Sequence, residues 1–360
     1  MRHKLGRRPT LAVVGATGAV GRVLLDVLPT RPDFWGALRL AAADEDVGAV
    51  VRVGGSSYAV QALTEDFFTD VDIALFDLPP SMTPAWVDVA TARGVLVVDN
   101  STAFRMDPDV PLVVPEVNAA AVHARPKGIV ASPGATVMTM IDVLATLHAG
   151  WQLEELVVTT FQAASGLGRR GMNRLYDEIG VVAKDRSLGQ RTGDVRRAVE
   201  SELGPGPFPG PLALNIVPMC GAALESGWTS EEEKVRSETR KILGIPTLKV
   251  VATCVRVPVI SSHSMNVHAR FARRITVDRA RQAFIETPMV VVLDDLEHDE
   301  FPMPADVVGA DPRFVGRIRQ TPDLPHSIDF FVSGDNLRKG AALNMLQTAE
   351  LLSESSEPTD

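Results

Sequence analysis

The chain of 360 residues has only two cysteines, Cys220 and Cys254, and this scarcity excludes a disulfide-stapled scaffold. Their number and spacing fit no cysteine-ligated metal site, so we expect no bound metal. No apolar run approaches the roughly 20 residues that cross a bilayer, so no membrane partner is expected. Positive charge is also scarce: 36 Lys and Arg stand against 45 Asp and Glu, and the formal net charge is -9. That balance argues against binding to nucleic acid. A reduced, cytoplasmic protein is predicted.

A glycine-rich segment near the start of the chain gives the first positive signal. The buried-strand run 11–14 leads directly into Gly15-Ala-Thr-Gly18-Ala-Val-Gly21, and an apolar helix pattern follows over 23–28. A strand, a glycine-rich turn and a helix in this order form a dinucleotide-binding βα unit, because glycines let the backbone approach a pyrophosphate at the helix N-terminus. A plain α/β turn is the alternative. The expected cofactor contacts are Gly15, Thr17, Gly18, Val20 and Gly21.

Acids and prolines follow the next two strands of this predicted domain. The strand 38–42 ends at Asp44-Glu45-Asp46, where acids accept from a ribose 2′-hydroxyl but repel a 2′-phosphate; a solvated turn is the alternative. The strand 72–76 ends at Asp77-Leu-Pro79-Pro80, and prolines supply no N–H to a phosphate or ribose. The pattern disfavours NADP and leaves NAD open.

Polar residues also gather after the strand 94–98, in the run Asp99-Asn100-Ser-Thr-Ala-Phe-Arg105. Open α/β sheets bind ligands beyond the carboxyl ends of their strands. Arg105 is suited to clamp a phosphate or a carboxylate there, and a surface arginine in an Asp-rich turn is the alternative.

The segment Ala131-Ser-Pro-Gly-Ala135-Thr-Val137 predicts a strand, a tight turn and a helix that opens near Thr136 and continues through the apolar run 138–147. Free N–H groups at such a helix N-terminus stabilise a thiolate or an oxyanion. Ala135 stands at the apex of the turn. The segment is therefore typical of a nucleophile site, with a methyl group where the nucleophile belongs.

A different pattern begins near residue 156, where β-branched strands with longer spacing predict a second, α+β domain. We place the first domain at 1–134, completed by a C-terminal helix at 336–352, and the second at 135–335, with a flexible tail at 353–360. The segment 162–168 is small and glycine-rich, and we interpret it as a flexible junction. The segment 185–211 is interpreted as a helical excursion followed by a long loop.

Titratable side chains in the second domain are the remaining candidates. Glu231 and Lys234 share one face of a capped helix over 229–243, and a salt-bridged surface helix is the alternative. Cys254 and Arg256 share one face of the strand 249–259. His263, just past that strand, is a candidate acid or base because its unperturbed pKa lies near neutrality; a structural histidine is the alternative.

Taken together, these motifs resemble the aspartate-β-semialdehyde dehydrogenase family over residues 11–352. The strongest matches lie at 13–21, 99–118, 252–259 and 335–344. The resemblance implies a Rossmann-like dinucleotide-binding domain with a second α+β catalytic and dimerisation domain. Members reductively dephosphorylate aspartyl β-phosphate with NADPH, in amino-acid biosynthesis, through a thioester on a cysteine. They are usually homodimers or tetramers, and an aspartate-kinase-like enzyme is expected upstream.

The resemblance also implies roles for single residues of this chain. The matching positions are Arg105 and Lys234 for phosphate, Asn100 as a further substrate contact, Glu231 and Arg256 for the substrate amino and carboxylate groups, Gln162 for orienting the acyl group, His263 as acid or base, and Asn336 as a cofactor contact. Cys254 matches a non-catalytic cysteine of the family.

The chain departs from the family pattern in three places. Ala135 occupies the position of the catalytic cysteine, Glu45 and Asp46 that of the Arg/Ser pair for the NADP 2′-phosphate, and the run 77–80 that of a Ser-Ala-Gly-Gly loop that lines the cofactor. An alanine forms no thioester. Our first hypothesis is therefore non-redox acyl transfer from an aspartyl-phosphate-like substrate to an amine, with His263 as base. The alternatives are a pseudoenzyme that binds a ligand or a partner subunit, and a dehydrogenase in which alanine replaced the cysteine.

Overall fold

The computed structural model describes residues 8–354, which divide into two compact units. Within the described residues, the first unit comprises 8–134, 241–244 and 337–354, and the second comprises 135–240 and 245–336. None of the helices in residues 8–354 is long and apolar enough to cross a membrane.

Two short stretches belong to a different unit from the one that the sequence predicts. Lys241–Gly244 belongs to the first unit, because the Lys241 Nζ donates to the carbonyls of Arg105, Asp107 and Val110, each at 2.8 Å. Asn336 belongs to the second unit, where its Oδ1 accepts from internal donors described below. The last helix extends to Glu354, two residues into the predicted tail, and 355–360 lie outside the described residues.

The elements are numbered in chain order. The strands are β1 (Thr10–Val14), β2 (Ala37–Ala41), β3 (Val50–Val53), β4 (Ser56–Gln61), β5 (Ile73–Phe76), β6 (Leu96–Asp99), β7 (Ile129–Ala131), β8 (Leu153–Gln162), β9 (Lys249–Arg256), β10 (His263–Phe271), β11 (Val290–Val292), β12 (Arg313–Arg319) and β13 (Ser327–Gly334). The helices are α1 (Ala19–Val27), α2 (Thr83–Ala92), α3 (Pro115–Asn118), α4 (Ala135–Met138), α5 (Ile141–Trp151), α6 (Gly168–Val182), α7 (Asp194–Leu203), α8 (Ser230–Leu243), α9 (Val277–Ile285), α10 (Pro304–Val307) and α11 (Leu343–Glu354).

The first unit is built on a seven-stranded sheet in the order β3-β4-β2-β1-β5-β6-β7. Neighbouring strands are parallel except for the β3–β4 pair. The strands β1 and β5 are buried along their whole length, as expected for parallel strands covered on both faces. β1 lies where the strand order reverses between β2 and β5, the usual ligand position of a doubly wound sheet. The glycine-rich loop follows β1 directly.

The second unit is built on a six-stranded mixed sheet in the order β11-β12-β13-β10-β8-β9. β8 pairs in parallel with β9 and antiparallel with β10, and buried and more exposed residues alternate along much of it. A Rossmann-like α/β unit and a second α+β unit were predicted, and this fold class is confirmed. His263 lies past the end of β9, as predicted, and is itself the first residue of β10, where it pairs with Gly334 of β13.

The predicted helix at 136–147 is broken in the structure. α4 ends at Met138 and α5 begins at Ile141. Arg313 donates to the carbonyl of Met138 from Nε at 3.0 Å and from Nη2 at 2.9 Å. In an unbroken helix this carbonyl would instead accept from the N–H four residues later. The Nη1 of Arg313 lies 2.9 Å from Oδ2 of Asp142, and both side chains are almost fully buried. A distant arginine therefore sets where the helix divides.

Candidate functional site

A hydrogen-bonded network in the second unit joins three residues from separate elements. The Thr136 hydroxyl in α4 donates to Oε1 of Glu231 in α8 at 2.7 Å. The Gln162 amide at the end of β8 donates to Thr136 Oγ1 at 3.0 Å and to Glu231 Oε1 at 3.3 Å. The sequence predicts Gln162 and Glu231 as site residues, and the structure brings them into direct contact. Thr136 was not predicted, although it adjoins position 135.

Glu231 is held in its ionised form. The Lys234 Nζ donates to Oε2 of Glu231 at 2.9 Å, one turn along α8 as the i, i+3 spacing predicts. Burial raises the pKa of this carboxyl, but the Lys234 charge and the bonds from Lys234 and Thr136 outweigh it and lower the pKa to about 2. The carboxylate is therefore fixed in charge and in direction at neutral pH.

His263 is buried and neutral. Burial, reinforced by the positive charge of Arg256, lowers its pKa to about 3, against the opposing effect of Glu231. Its Nδ1 accepts the backbone N–H of Ala163 at 3.2 Å, which assigns the single ring proton to Nε2. In this tautomer Nε2 is a hydrogen-bond donor, not a base.

Arg256 is a buried cation at the end of β9, with only 6% of its surface exposed. Its Nη1 donates to the carbonyl of Ala163 at 2.6 Å, and no carboxylate within residues 8–354 forms an ion pair with it. The guanidinium lies against Gly166, where a Cβ would be 2.5 Å from Nη1. The segment 162–168 is therefore not the flexible junction that the sequence predicts. It is a packed turn over Ala164–Leu167 whose missing side chain makes room for Arg256.

Position 135 begins α4, and its half-buried methyl group has no nucleophilic atom. Neither cysteine is a substitute: burial raises the pKa of the Cys220 thiol to about 11 and raises that of Cys254 as well, so both are neutral thiols. The Thr136 hydroxyl donates to a carboxylate with a pKa near 2, which is too weak a base to activate it. α4 has only four residues, so the long helix dipole expected from the sequence is absent there.

In the first unit, Asn100 and Arg105 lie beyond the end of β6, as predicted. The Arg105 Nη2 donates to the carbonyl of Asn100 at 2.7 Å, and the guanidinium is buried. The Asn100 amide donates to Oδ1 of Asp77 at 2.9 Å. Burial raises the pKa of both Asp77 and Asp99, and the charge of Arg105 partly offsets this rise at each carboxyl. Arg105 thus lies beside two carboxylates and not in an isolated surface turn.

The glycine-rich loop after β1 is tightly closed. Gly15 has a φ of +97°, and a Cβ there would lie 2.3 Å from the carbonyl oxygen of Asp77. The Thr17 hydroxyl donates to Oδ2 of Asp46 at 2.5 Å. Asp46, one of the two acids at the predicted 2′-phosphate position, is therefore directed at the loop that would hold a nucleotide. In the same loop, Gly18 and Val20 are half-buried and Gly21 is buried.

Asn336, predicted as a cofactor contact, has its amide oxygen occupied within the second unit. Oδ1 accepts from the Ser165 hydroxyl and from the Ser262 N–H, both at 2.9 Å. Only its amide nitrogen is left for a ligand, and its cofactor role stays a prediction. Residues 8–354 contain no group of three or more His, Cys, Asp or Glu that could hold a metal ion.

The comparisons with known proteins agree on one family. The model for the NAD binding domain of semialdehyde dehydrogenases matches residues 10–125, and the model for their dimerisation domain matches residues 144–339. The aspartate-semialdehyde dehydrogenase of Streptomyces akiyoshiensis is 42% identical over 344 residues, which cover 95% of this chain and 98% of that protein. The chain belongs to the aspartate-semialdehyde dehydrogenase family.

Solved structures of the family share the fold. Aspartate semialdehyde dehydrogenase II from Vibrio cholerae, in a complex with ASA, is 32% identical, covers 98% of this chain and 100% of its own, and superimposes with a TM-score of 0.89. The aspartate-semialdehyde dehydrogenase of Aquifex aeolicus is 38% identical over 344 residues, or 95% of this chain and 97% of that protein. The resemblance predicted from the motifs is confirmed, and a nucleotide-binding domain is present.

Proposed function

We propose that the second unit binds the amino-acid part of aspartate semialdehyde, and that the chain is built for the dehydrogenase reaction of its family with the nucleophile removed. The guanidinium of Arg256, which forms no ion pair within residues 8–354, carries the proposal. A buried charge without a partner is costly to a folded protein, and a ligand carboxylate removes that cost. The carboxylate of the amino acid is such a ligand.

The Glu231 network supplies the complementary charge. Its carboxylate is ionised and accepts from Thr136, Gln162 and Lys234, and such a group has room for one more donor. A substrate ammonium group is that donor in our proposal. A cation at Arg256 and an anion at Glu231 together select a zwitterionic amino acid.

His263 acts as a hydrogen-bond donor in this proposal. A neutral imidazole with its proton on Nε2 polarises a carbonyl without accepting a proton from it. This tautomer does not serve the acyl transfer to an amine that the sequence first suggested, in which His263 is the base. The relatives' names favour the dehydrogenase over that transfer, and nothing supports an amine acceptor or an upstream kinase partner.

We infer that the nucleotide of the first unit is NAD and not NADP. The backbone of the Gly15–Gly21 loop would hold the pyrophosphate, and Asp46 would accept from the ribose 2′-hydroxyl. The same carboxylate repels a 2′-phosphate. When bound, NAD supplies a hydride acceptor. From the match to the dimerisation-domain model we also infer a homodimer or a tetramer.

The test restores the thiol. We expect the Ala135→Cys variant, mixed with aspartate semialdehyde and NAD+, to give a burst of about one reduced nicotinamide per chain. The thiol adds to the aldehyde as a hemithioacetal, which becomes a thioester by giving its hydride to NAD+ and its hydroxyl proton to water. The burst needs no phosphate. It is followed by nicotinamide absorbance in a stopped-flow instrument, and by the mass of the acylated protein.

The Ala135→Ser variant is the matched control, since it adds a heavy atom of the same valence but no reactive thiolate. We expect neither it nor the natural chain to give a burst. If Ala135→Cys gives none with either NAD+ or NADP+, the chain is not built for the dehydrogenase reaction. A burst from the natural chain would show that the redox step needs no thiol at 135.

A further inference from the structure

Asp77 stands at the point where two predicted binding features of the first unit meet. It follows β5, whose last residue, Phe76, pairs with Asp99 of β6, so Asp77 and Asn100 emerge side by side at the carboxyl edge of the sheet. On its other side, a Cβ at Gly18 would lie 3.6 Å from Oδ2 of Asp77. One carboxylate therefore borders both the glycine-rich loop and the pair Asn100 and Arg105.

The hydrogen bond to Asp77 uses a donor that a bound anion would need. The Asn100 amide has two N–H groups, and one of them is directed at Asp77 Oδ1 at 2.9 Å. The charge of the Arg105 guanidinium also acts on the carboxyls of Asp77 and Asp99 and partly offsets the rise in their pKa values. Asp77 therefore holds one of the Asn100 donors and lies within the field of the Arg105 charge.

The loop after Asp77 does not make up for the lost donors. Pro79 and Pro80 have no N–H to offer. The Pro79 carbonyl accepts from the N–H groups of Met82 and Thr83 and from the Thr83 hydroxyl, so the loop closes on its own donors. A phosphate arriving here would meet a carboxylate and carbonyl oxygens in place of N–H groups.

We propose that Asp77 is a specificity-determining residue of the first unit that excludes phosphate from Asn100 and Arg105. This does not rest on the proposed function, whose contacts lie in the second unit. Exclusion of phosphate agrees with the alanine at 135, since a chain that forms no thioester has no acyl group to release to phosphate.

The experiment measures the binding of inorganic phosphate to the full chain by isothermal titration calorimetry near neutral pH. We expect D77S and D77N to bind phosphate about 10-fold more tightly than the natural chain, because each removes the carboxyl next to Arg105 and with it the negative charge of its ionised form. D77N also preserves an acceptor for Asn100, so it tests the charge alone if D77S folds poorly.

Asp70→Asn is the matched control. Asp70 is exposed, precedes β5 at the opposite edge of the sheet and has a φ of +59°, a conformation that asparagine tolerates. The variant removes the same charge from the same unit, and its phosphate affinity should match that of the natural chain. Adding Arg105→Gln to D77N should abolish the increase in phosphate affinity.

Three results would overturn the proposal: D77S and D77N binding phosphate no more tightly than D70N, the natural chain already binding it as tightly, or the gain surviving Arg105→Gln. Binding of aspartate semialdehyde at Arg256 is measured separately by the same method. It should be unchanged in D77N, so failure of the proposed function is distinguished from failure of this inference.

Discussion

Gly166 sets the position of the Arg256 guanidinium, and replacing it with alanine tests whether that position matters for binding. A Cβ at residue 166 would lie 2.5 Å from Nη1 and 3.4 Å from Cζ of Arg256. Ordinary contact begins near 3.4 Å, so the guanidinium must retreat by about 0.9 Å and lose its 2.6 Å bond to the Ala163 carbonyl. A misplacement of about 1 Å in a binding group lowers its effectiveness by up to about 100-fold.

We therefore expect Gly166→Ala to raise the dissociation constant for aspartate semialdehyde about 10- to 100-fold, measured by isothermal titration calorimetry. The chain should remain folded, because the backbone at 166 is not in the left-handed region and losing one charged hydrogen bond costs about 1.5–3 kcal/mol. Urea unfolding checks this. Arg256→Met, which removes the guanidinium altogether, gives the weakest binding expected.

Gly180→Ala is the matched control for that substitution. Gly180 is exposed in α6, and a Cβ there would meet nothing within 4 Å. Its ligand affinity should not change, and its stability should rise by about 0.5–1 kcal/mol, because alanine loses less conformational entropy in a helix. If Gly166→Ala binds the aldehyde as tightly as Gly180→Ala does, Arg256 does not hold the substrate.

Two further predictions concern stability. Arg313→Met removes the cation 2.9 Å from the buried Asp142 and the two donors to the Met138 carbonyl, so we expect the free energy of unfolding in urea to fall by about 3–5 kcal/mol. Arg319→Met, on the exposed part of β12, should lower it by no more than about 0.5 kcal/mol. A loss below about 1 kcal/mol for Arg313→Met would contradict the role assigned to Arg313. His263 has a folded pKa of about 3, below its ordinary value of 6.5, so the unfolded chain binds more protons between these values and the natural chain should lose stability as pH falls from 6.5. Thermal unfolding at a series of pH values tests this: the His263→Gln variant should lose less stability than the natural chain below pH 6.5 and show the same dependence of stability on pH above it. The same dependence below pH 6.5 would mean that His263 is not buried in its neutral form.

The candidate site was predictable where the contact that defines a residue's role joins positions close together in the sequence. Glu231 and Lys234 share a helix face because their spacing is local, and the structure joins them by an ion pair. Thr136 adjoins the apex at 135, but nothing in the sequence shows that its hydroxyl meets Glu231, 95 residues away. The Gly54-Gly55 turn, with both φ values positive, forms the hairpin of β3 and β4, and paired glycines are a local sequence signal for such a turn.

Local sequence patterns predict the βα unit at Gly15–Gly21 and the class of both sheets, and the sequence shows directly that position 135 has no thiol. These follow from side-chain period, turn chemistry and residue identity, which act over a few neighbouring positions. The folded chain is needed to reveal the break between α4 and α5, the tautomer of His263, the space that Gly166 leaves for Arg256, and the hydrogen bond between Asn100 and Asp77. Each of these depends on groups that the chain brings together from distant positions, where packing and burial, not local propensity, fix direction and charge.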